Sequence, residues 1–118
     1  MARNGWHILR DEDGLTLARH LPARFDGSGE AELPVCDPGR LARQVRQDIW
    51  RAVQRVRGFS PVVRVERSED AMRVIAGGRV PAVSRSDAER KIAGVLGDAG
   101  RRARWLRWKR RVQRPRAT

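Results

Sequence analysis

The sequence predicts an α+β fold: a small antiparallel or mixed sheet, built of two hairpins and a possible extra edge strand, packed with two helices in the order β-β-(β)-α-β-β-α. Three observations lead there. Leu15, Leu17 and Leu21 recur at period two beside an Asp-Gly turn. Leu41, Val45, Ile49, Ala52, Val53 and Val56 recur at about 100° per residue, the period of an amphipathic helix. Val63 and Val65 alternate ahead of a second short apolar run that starts at Met72. At 118 residues with 40% apolar side chains, the chain can bury one modest core, so a single domain is expected.

Taken in order, residues 6–9 and 15–21 form a hairpin around Asp11-Glu12-Asp13-Gly14, since Asp-Gly favours a tight turn. Residues 24–30, with Gly27, Ser28 and Gly29, read as a loop. Residues 31–35 read as a short third strand, which Pro34 confines to an edge. Asp37 caps the first helix with Pro38 at its first position, where a missing N–H costs nothing. Arg40, Arg43, Arg51 and Arg55 then fall opposite the apolar arc, and Gly58 is expected to end the helix. Trp50 lies off that arc, which suits packing against a neighbouring loop or strand more than the alternative, a binding role.

In the second hairpin Val63 and Val65 are expected opposite Met72 and Val74, with Arg64, Arg67 and Arg73 between them and Gly77-Gly78 closing the unit. Ser86 and Glu89 have the spacing of a capping box. From there Ile92, Leu96, Ala99, Ala103 and Leu106 continue one helical stripe, interrupted by Gly94, Gly97 and Gly100. Either one bent helix follows, or Gly97 ends a first helix and Asp98 caps a second. The expected division is a compact body over residues 1–98 and a basic C-terminal helix or tail over 99–118, continuing the last helix of the same domain.

Charge follows that division. The chain has 26 Lys+Arg against 14 Asp+Glu, a net charge of +12, and only Lys91 and Lys109 are lysines. Residues 1–37 sum to −3, residues 38–98 to +6, and residues 99–118 to +9 with no acid at all. Scarce lysine and absent tyrosine indicate GC-rich, bacterial coding, which accounts for arginine in place of lysine but leaves the net charge unchanged. No apolar run approaches the ~18 residues that span a bilayer, and Asp11-Glu12-Asp13 follows the N-terminal segment where a secretory leader would be apolar. A cytoplasmic protein is expected. A single cysteine, Cys36, excludes an internal disulfide framework and a multi-cysteine zinc site.

The segment Arg101-Arg102-Ala103-Arg104-Trp105-Leu106-Arg107-Trp108-Lys109-Arg110-Arg111 carries the strongest functional signal. As a helix it places Ala103 and Leu106 toward the core and gathers Trp105 and Trp108 on the other side among the cations. Guanidinium groups offer planar, bidentate donors to phosphates, and indole rings stack on unpaired bases or wedge against a groove. The expected nucleic-acid site is therefore Arg101, Arg102, Arg104, Trp105, Arg107, Trp108, Lys109, Arg110 and Arg111, helped by Arg43 and Arg51 of the first helix. No zinc-finger spacing, RNP-type aromatic motif or KH-type GxxG loop is present, so backbone contact is expected over base readout.

The reading is a small regulatory or architectural nucleic-acid-binding protein, DNA ahead of RNA. The alternative is an adaptor whose basic helix docks on an acidic protein partner. An anionic membrane surface also suits a basic helix with tryptophan, but the apolar face is narrow. The tryptophans also fit a core position beneath the sheet.

Catalytic and cofactor chemistry lack support. His7 and His20 sit on the two arms of the first hairpin without a carboxylate partner, and Asp11, Glu12 and Asp13 are ordinary turn residues. Glu89-Arg90-Lys91 matches a nuclease-like E-x-K only superficially, because Glu89 is expected to cap a helix. Cys36 has no paired histidine, and Gly77-Gly78 lacks the lysine of a phosphate-cradling loop. No enzyme, cofactor or metal is expected.

Overall fold

The computed structural model describes the backbone of residues 2–3 and 6–112 and the side chains of residues 6–107. The elements run β1 (Ala2–Arg3), β2 (Trp6–Arg10), β3 (Gly14–Ala18), β4 (Gly27–Leu33), α1 (Pro38–Val53), β5 (Ser60–Arg67), β6 (Met72–Arg79), a 3-10 turn (Ala82–Ser84), α2 (Arg85–Leu96) and α3 (Ala99–Val112). All strand pairs are antiparallel, in the order β1-β2-β3-β5-β6-β4. The α+β class and both hairpins stand as the sequence predicts.

The β2–β3 turn is organised by Asp11, whose Oδ1 accepts hydrogen bonds from the backbone N–H of Asp13 (2.9 Å) and Gly14 (3.0 Å). Across the sheet centre Leu15 stands opposite Val65, itself opposite Val74, and Leu17 opposite Val63, itself opposite Ala76. These six form the floor of the core, onto which Leu41, Val45, Ile49 and Val53 of α1 and Ile92 and Leu96 of α2 pack. The expected hairpin between β5 and β6 is present, but Val63 faces Ala76 and Met72 faces Arg67. Gly77 and Gly78 do not close that hairpin. They lie inside β6, paired with Ser28 and Gly27 of β4.

Three further expectations are corrected. Gly27, Ser28 and Gly29 belong to β4, not to a loop. A Cβ on Gly29 would come within 3.2 Å of Ile92 and 3.3 Å of Leu96, so the missing side chain is what lets α2 lie close on the strand. Asp37 does cap α1, accepting from the Arg40 N–H at 2.9 Å with Pro38 at the first position. The helix ends at Val53, however, and Gly58 (φ +76°) shapes the turn into β5. The capping box at Ser86 does not form: Ser84 holds the N-cap of α2 without a side-chain bond, and the Glu89 carboxylate accepts from the Ser28 N–H of β4 at 3.2 Å.

The last helical stretch is broken, giving a third helix. Gly97 closes α2, its N–H reaching back to Ala93, and Asp98 caps α3 by accepting from the Arg101 N–H at 2.7 Å. The break resets the helical phase, so the stripe read through Ala99 and Ala103 does not hold, and both are exposed. Among the described residues of α3, Trp105 is buried in the core and Leu106 packs partly against it. Among the described residues no helix is long and apolar enough to cross a membrane.

The helices cover the sheet unevenly. α1 packs on β3, β5 and β6, and α2 on β4 and β6; among the described residues neither helix layer extends over β2. A cleft therefore opens between the flank of α1 and the start of β2.

Candidate nucleic-acid interface

The described part of the basic C-terminal segment is largely engaged with the fold. Trp105 is 1% exposed, and its Nε1 donates to Asp48 Oδ2 at 2.7 Å. The expectation that Trp105 stacks on bases is thereby corrected: the indole is core, held by a buried carboxylate from α1. Arg104 donates to the same Asp48 oxygen. Arg102 donates to the carbonyls of Glu32 (2.7 Å) and Leu96 (3.4 Å), tying α3 to the end of β4 and of α2. Arg101 lies 3.7 Å from Asp98. Arg107 is exposed. The side chains of Trp108, Lys109, Arg110 and Arg111 lie outside the described residues.

Helix geometry explains this division of labour. On α1 the core residues Val45, Ile49 and Val53 point into the sheet, while Asp48 sits on the flank toward α3 and Arg46 and Trp50 on the flank toward β2. Arg40, Arg43 and Arg51 occupy the exposed face between those flanks, and Arg55 is exposed just beyond the helix end. Asp48 is the one acid in α1, and it is buried against Arg104 and Trp105. The exposed charges of α1 are thus all basic. Arg43 and Arg51, expected as helpers, are among them.

By contrast, the sheet face away from the helices neutralises its own cations. Arg64 bonds Asp11, Glu66 and Thr16, and Arg73 bonds Glu30 and Glu66, in one continuous chain. Those hydrogen bonds hold the Asp11 carboxyl down at about 2, the Arg64 bond contributing most. They also raise the Arg64 and Arg73 guanidinium groups above the ordinary arginine value. Arg64 and Arg73 on that surface are engaged by acids, so they offer little to a polyanion.

The cleft beside β2 is a pocket of about 560 Å³, within the range that small-ligand sites occupy. Its lining comes from four elements: Trp6 of β2, Arg19 and His20 after β3, Arg46, Gln47 and Trp50 of α1, and Phe59 and Pro61 at the start of β5. Among the described residues no carboxylate lines it. The Arg46 guanidinium lies over the Trp6 ring at 4.7 Å from its centroid, with Arg19 over the same ring at 5.9 Å. The Nε of Arg46 is buried and finds no hydrogen-bond partner among the described residues. Desolvation, then repulsion from Arg43 and Arg19, lowers its proton affinity below the ordinary arginine value. His20 Nδ1 lies 2.6 Å from the Ser60 hydroxyl, which orients the ring at the pocket rim.

Trp50 is 43% exposed, an amphipathic ring at the mouth of the pocket. His7 and His20 do not form a pair: His7 stands opposite Ala18 in the sheet. Sequence reading missed this site because its residues are scattered over 56 positions and share no local motif. The one available signal was Trp50 lying off the apolar arc of α1. Among the described residues no three His, Cys, Asp or Glu side chains are placed to hold a metal ion.

Fold and site together define an antiparallel α+β protein with a basic helix face bordering an aromatic–arginine pocket. Compared with protein families, curated proteins and solved structures, the chain matches none.

Proposed function

We propose that this protein binds nucleic acid through its phosphate backbone. The observation that supports the reading is the basic outer face of α1, where Arg43, Arg51 and the nearby Arg55 are exposed beside a pocket that, among the described residues, is lined by arginine and tryptophan and by no acid. The opposite sheet surface, where Asp11, Glu30 and Glu66 each bond an arginine, makes the contrast meaningful. Arginine guanidinium groups along a helix suit successive phosphates by bidentate donation. Such contacts confer affinity and register with little sequence information, consistent with a regulatory or architectural role on DNA ahead of RNA. Within α3 the described arginines chiefly anchor the helix, so the functional weight shifts toward α1 and the pocket, with Arg107 and the remaining C-terminal cations adding to the field.

Titrating the full chain against duplex DNA, single-stranded DNA and RNA over a range of salt tests the reading. Neutralising roughly six phosphates predicts a slope of log K against log[salt] near −5 on duplex. Substituting Arg43 and Arg51 by Gln should make that slope shallower by about 2. Absence of binding to all three at low salt would overturn the proposal and leave an acidic protein as the partner to seek.

A further inference from the structure

We infer that the pocket between α1 and β2 holds one unpaired nucleotide of a single strand, its base against the Trp50 and Phe59 rings and its phosphate on Arg46, which the Trp6 ring backs. This rests on the nucleic-acid reading above and sharpens it to a preference for unpaired strands.

Two chemistries coincide in the pocket. Three aromatic rings from three different elements converge there: Trp6 and Phe59 are braced against the core, and Trp50 stands half-exposed at the mouth. Rings fixed in this way supply a flat, apolar surface at little cost in side-chain entropy. Between them sits Arg46, whose Nε is buried without an acceptor among the described residues. A buried N–H left unmade costs about 1–3 kcal/mol, more when charged, so a shift of the Arg46 side chain that brings this N–H to an anionic oxygen is favoured. A nucleotide presents a planar π face and an anionic oxygen group a few bonds apart, the combination these residues complement.

The occupant is an unpaired nucleotide because a paired base has both faces already stacked. Drawing it from a duplex costs a few kcal/mol before any contact is made. Arg43, on the exposed α1 face next to Arg46, continues the cationic track toward a neighbouring phosphate, so the occupant is part of a strand.

Fluorescence and anisotropy titrations of the full chain with a dT oligonucleotide, a duplex of equal length and thymidine monophosphate test the inference. The variants are Trp50→Ala, Trp50→Phe and Arg46→Gln, each checked for cooperative melting. The expected results are tighter binding of the single strand than of the duplex, and quenching of tryptophan emission by the strand. Trp50→Ala and Arg46→Gln should weaken the strand about tenfold and the duplex less than threefold, with Trp50→Phe restoring most of the loss. If the variants weaken strand and duplex equally, or neither, the pocket inference is overturned while the nucleic-acid reading stands. If the monophosphate binds as tightly as the oligonucleotide, a free nucleotide is the ligand and the strand assignment is overturned. If nothing binds at low salt, the underlying reading has failed as well.

Discussion

The Arg46 guanidinium carbon lies 4.7 Å from the centroid of the Trp6 ring, joining the flank of α1 to the first full strand of the sheet. This contact spans the cleft that α1 leaves open by packing over β3, β5 and β6. It keeps a partly buried cation beside an aromatic ring, with one N–H unmatched. A cation–π contact of this kind contributes about 0.5–1 kcal/mol, comparable to what an unsatisfied donor costs.

Arg46→Met is therefore expected to be no less stable than the parent, and up to about 1 kcal/mol more stable, because the stem still packs on Trp6 while the unmatched donor disappears. Urea unfolding gives the comparison. A drop of 2 kcal/mol would show that Arg46 is primarily a structural residue.

Asp48 is the hinge of the opposite flank. At 3% exposed, its carboxylate serves both Trp105 and Arg104. Asp48→Ala strands the buried indole N–H, while Arg104 retains access to water, so the expected loss is about 2 kcal/mol. Trp105→Ala removes the largest fully buried side chain among the described residues and should cost about 3–5 kcal/mol. Truncation after Asp98 should then lower the melting temperature at least as much as Trp105→Ala, which a thermal scan checks directly.

The Asp11 carboxyl is held at about 2, below the ordinary 3.8, chiefly by the Arg64 hydrogen bonds and then by the Asp13 N–H. A depressed carboxyl contributes stability above pH 3.8 and loses it as pH falls toward 2. Asp11→Asn keeps the oxygen that accepts from Asp13 and Gly14 but removes the charge. Its melting temperature should lie below the parent's at pH 7 and meet it near pH 2. A constant difference across that window would count against the ion pair as the cause.

Glycine substitutions should separate two kinds of position. Gly94 lies exposed in α2 with nothing within 4 Å of a Cβ, so Gly94→Ala should stabilise by roughly 0.5–1 kcal/mol. At Gly77 a Cβ would lie 2.1 Å from the Gly27 carbonyl oxygen, so Gly77→Ala must displace β4 and should cost about 2 kcal/mol or more. Chemical denaturation of the two single variants decides both.

Much of the architecture was legible because local patterns and tertiary demands agree. The alternation of Leu15 and Leu17, the arc from Leu41 to Val53, the Asp37-Pro38 start and the Gly97-Asp98 break each state a periodicity or a cap that the chain realises without distant help. What misled were residues whose role is set by a partner far along the chain. Gly27 and Gly29 have loop chemistry but form a strand because α2 needs the space of their absent side chains. Glu89 has cap spacing, yet the Ser28 N–H claims it across 61 positions.

The charge excess shows the same divide. By itself, the sequence determined the α+β class, the basic outer face of α1 and the +9 C-terminal segment, since each depends on composition and short-range period. Only the tertiary structure decided that Trp105 is core while Trp50 and Trp6 face an open pocket, and that Arg104 meets a buried carboxylate while Arg46 meets none. Helical periodicity orders residues around one axis. Which flank of that axis meets an acid, a ring or a cleft depends on where the next helix and the uncovered strand lie in three dimensions.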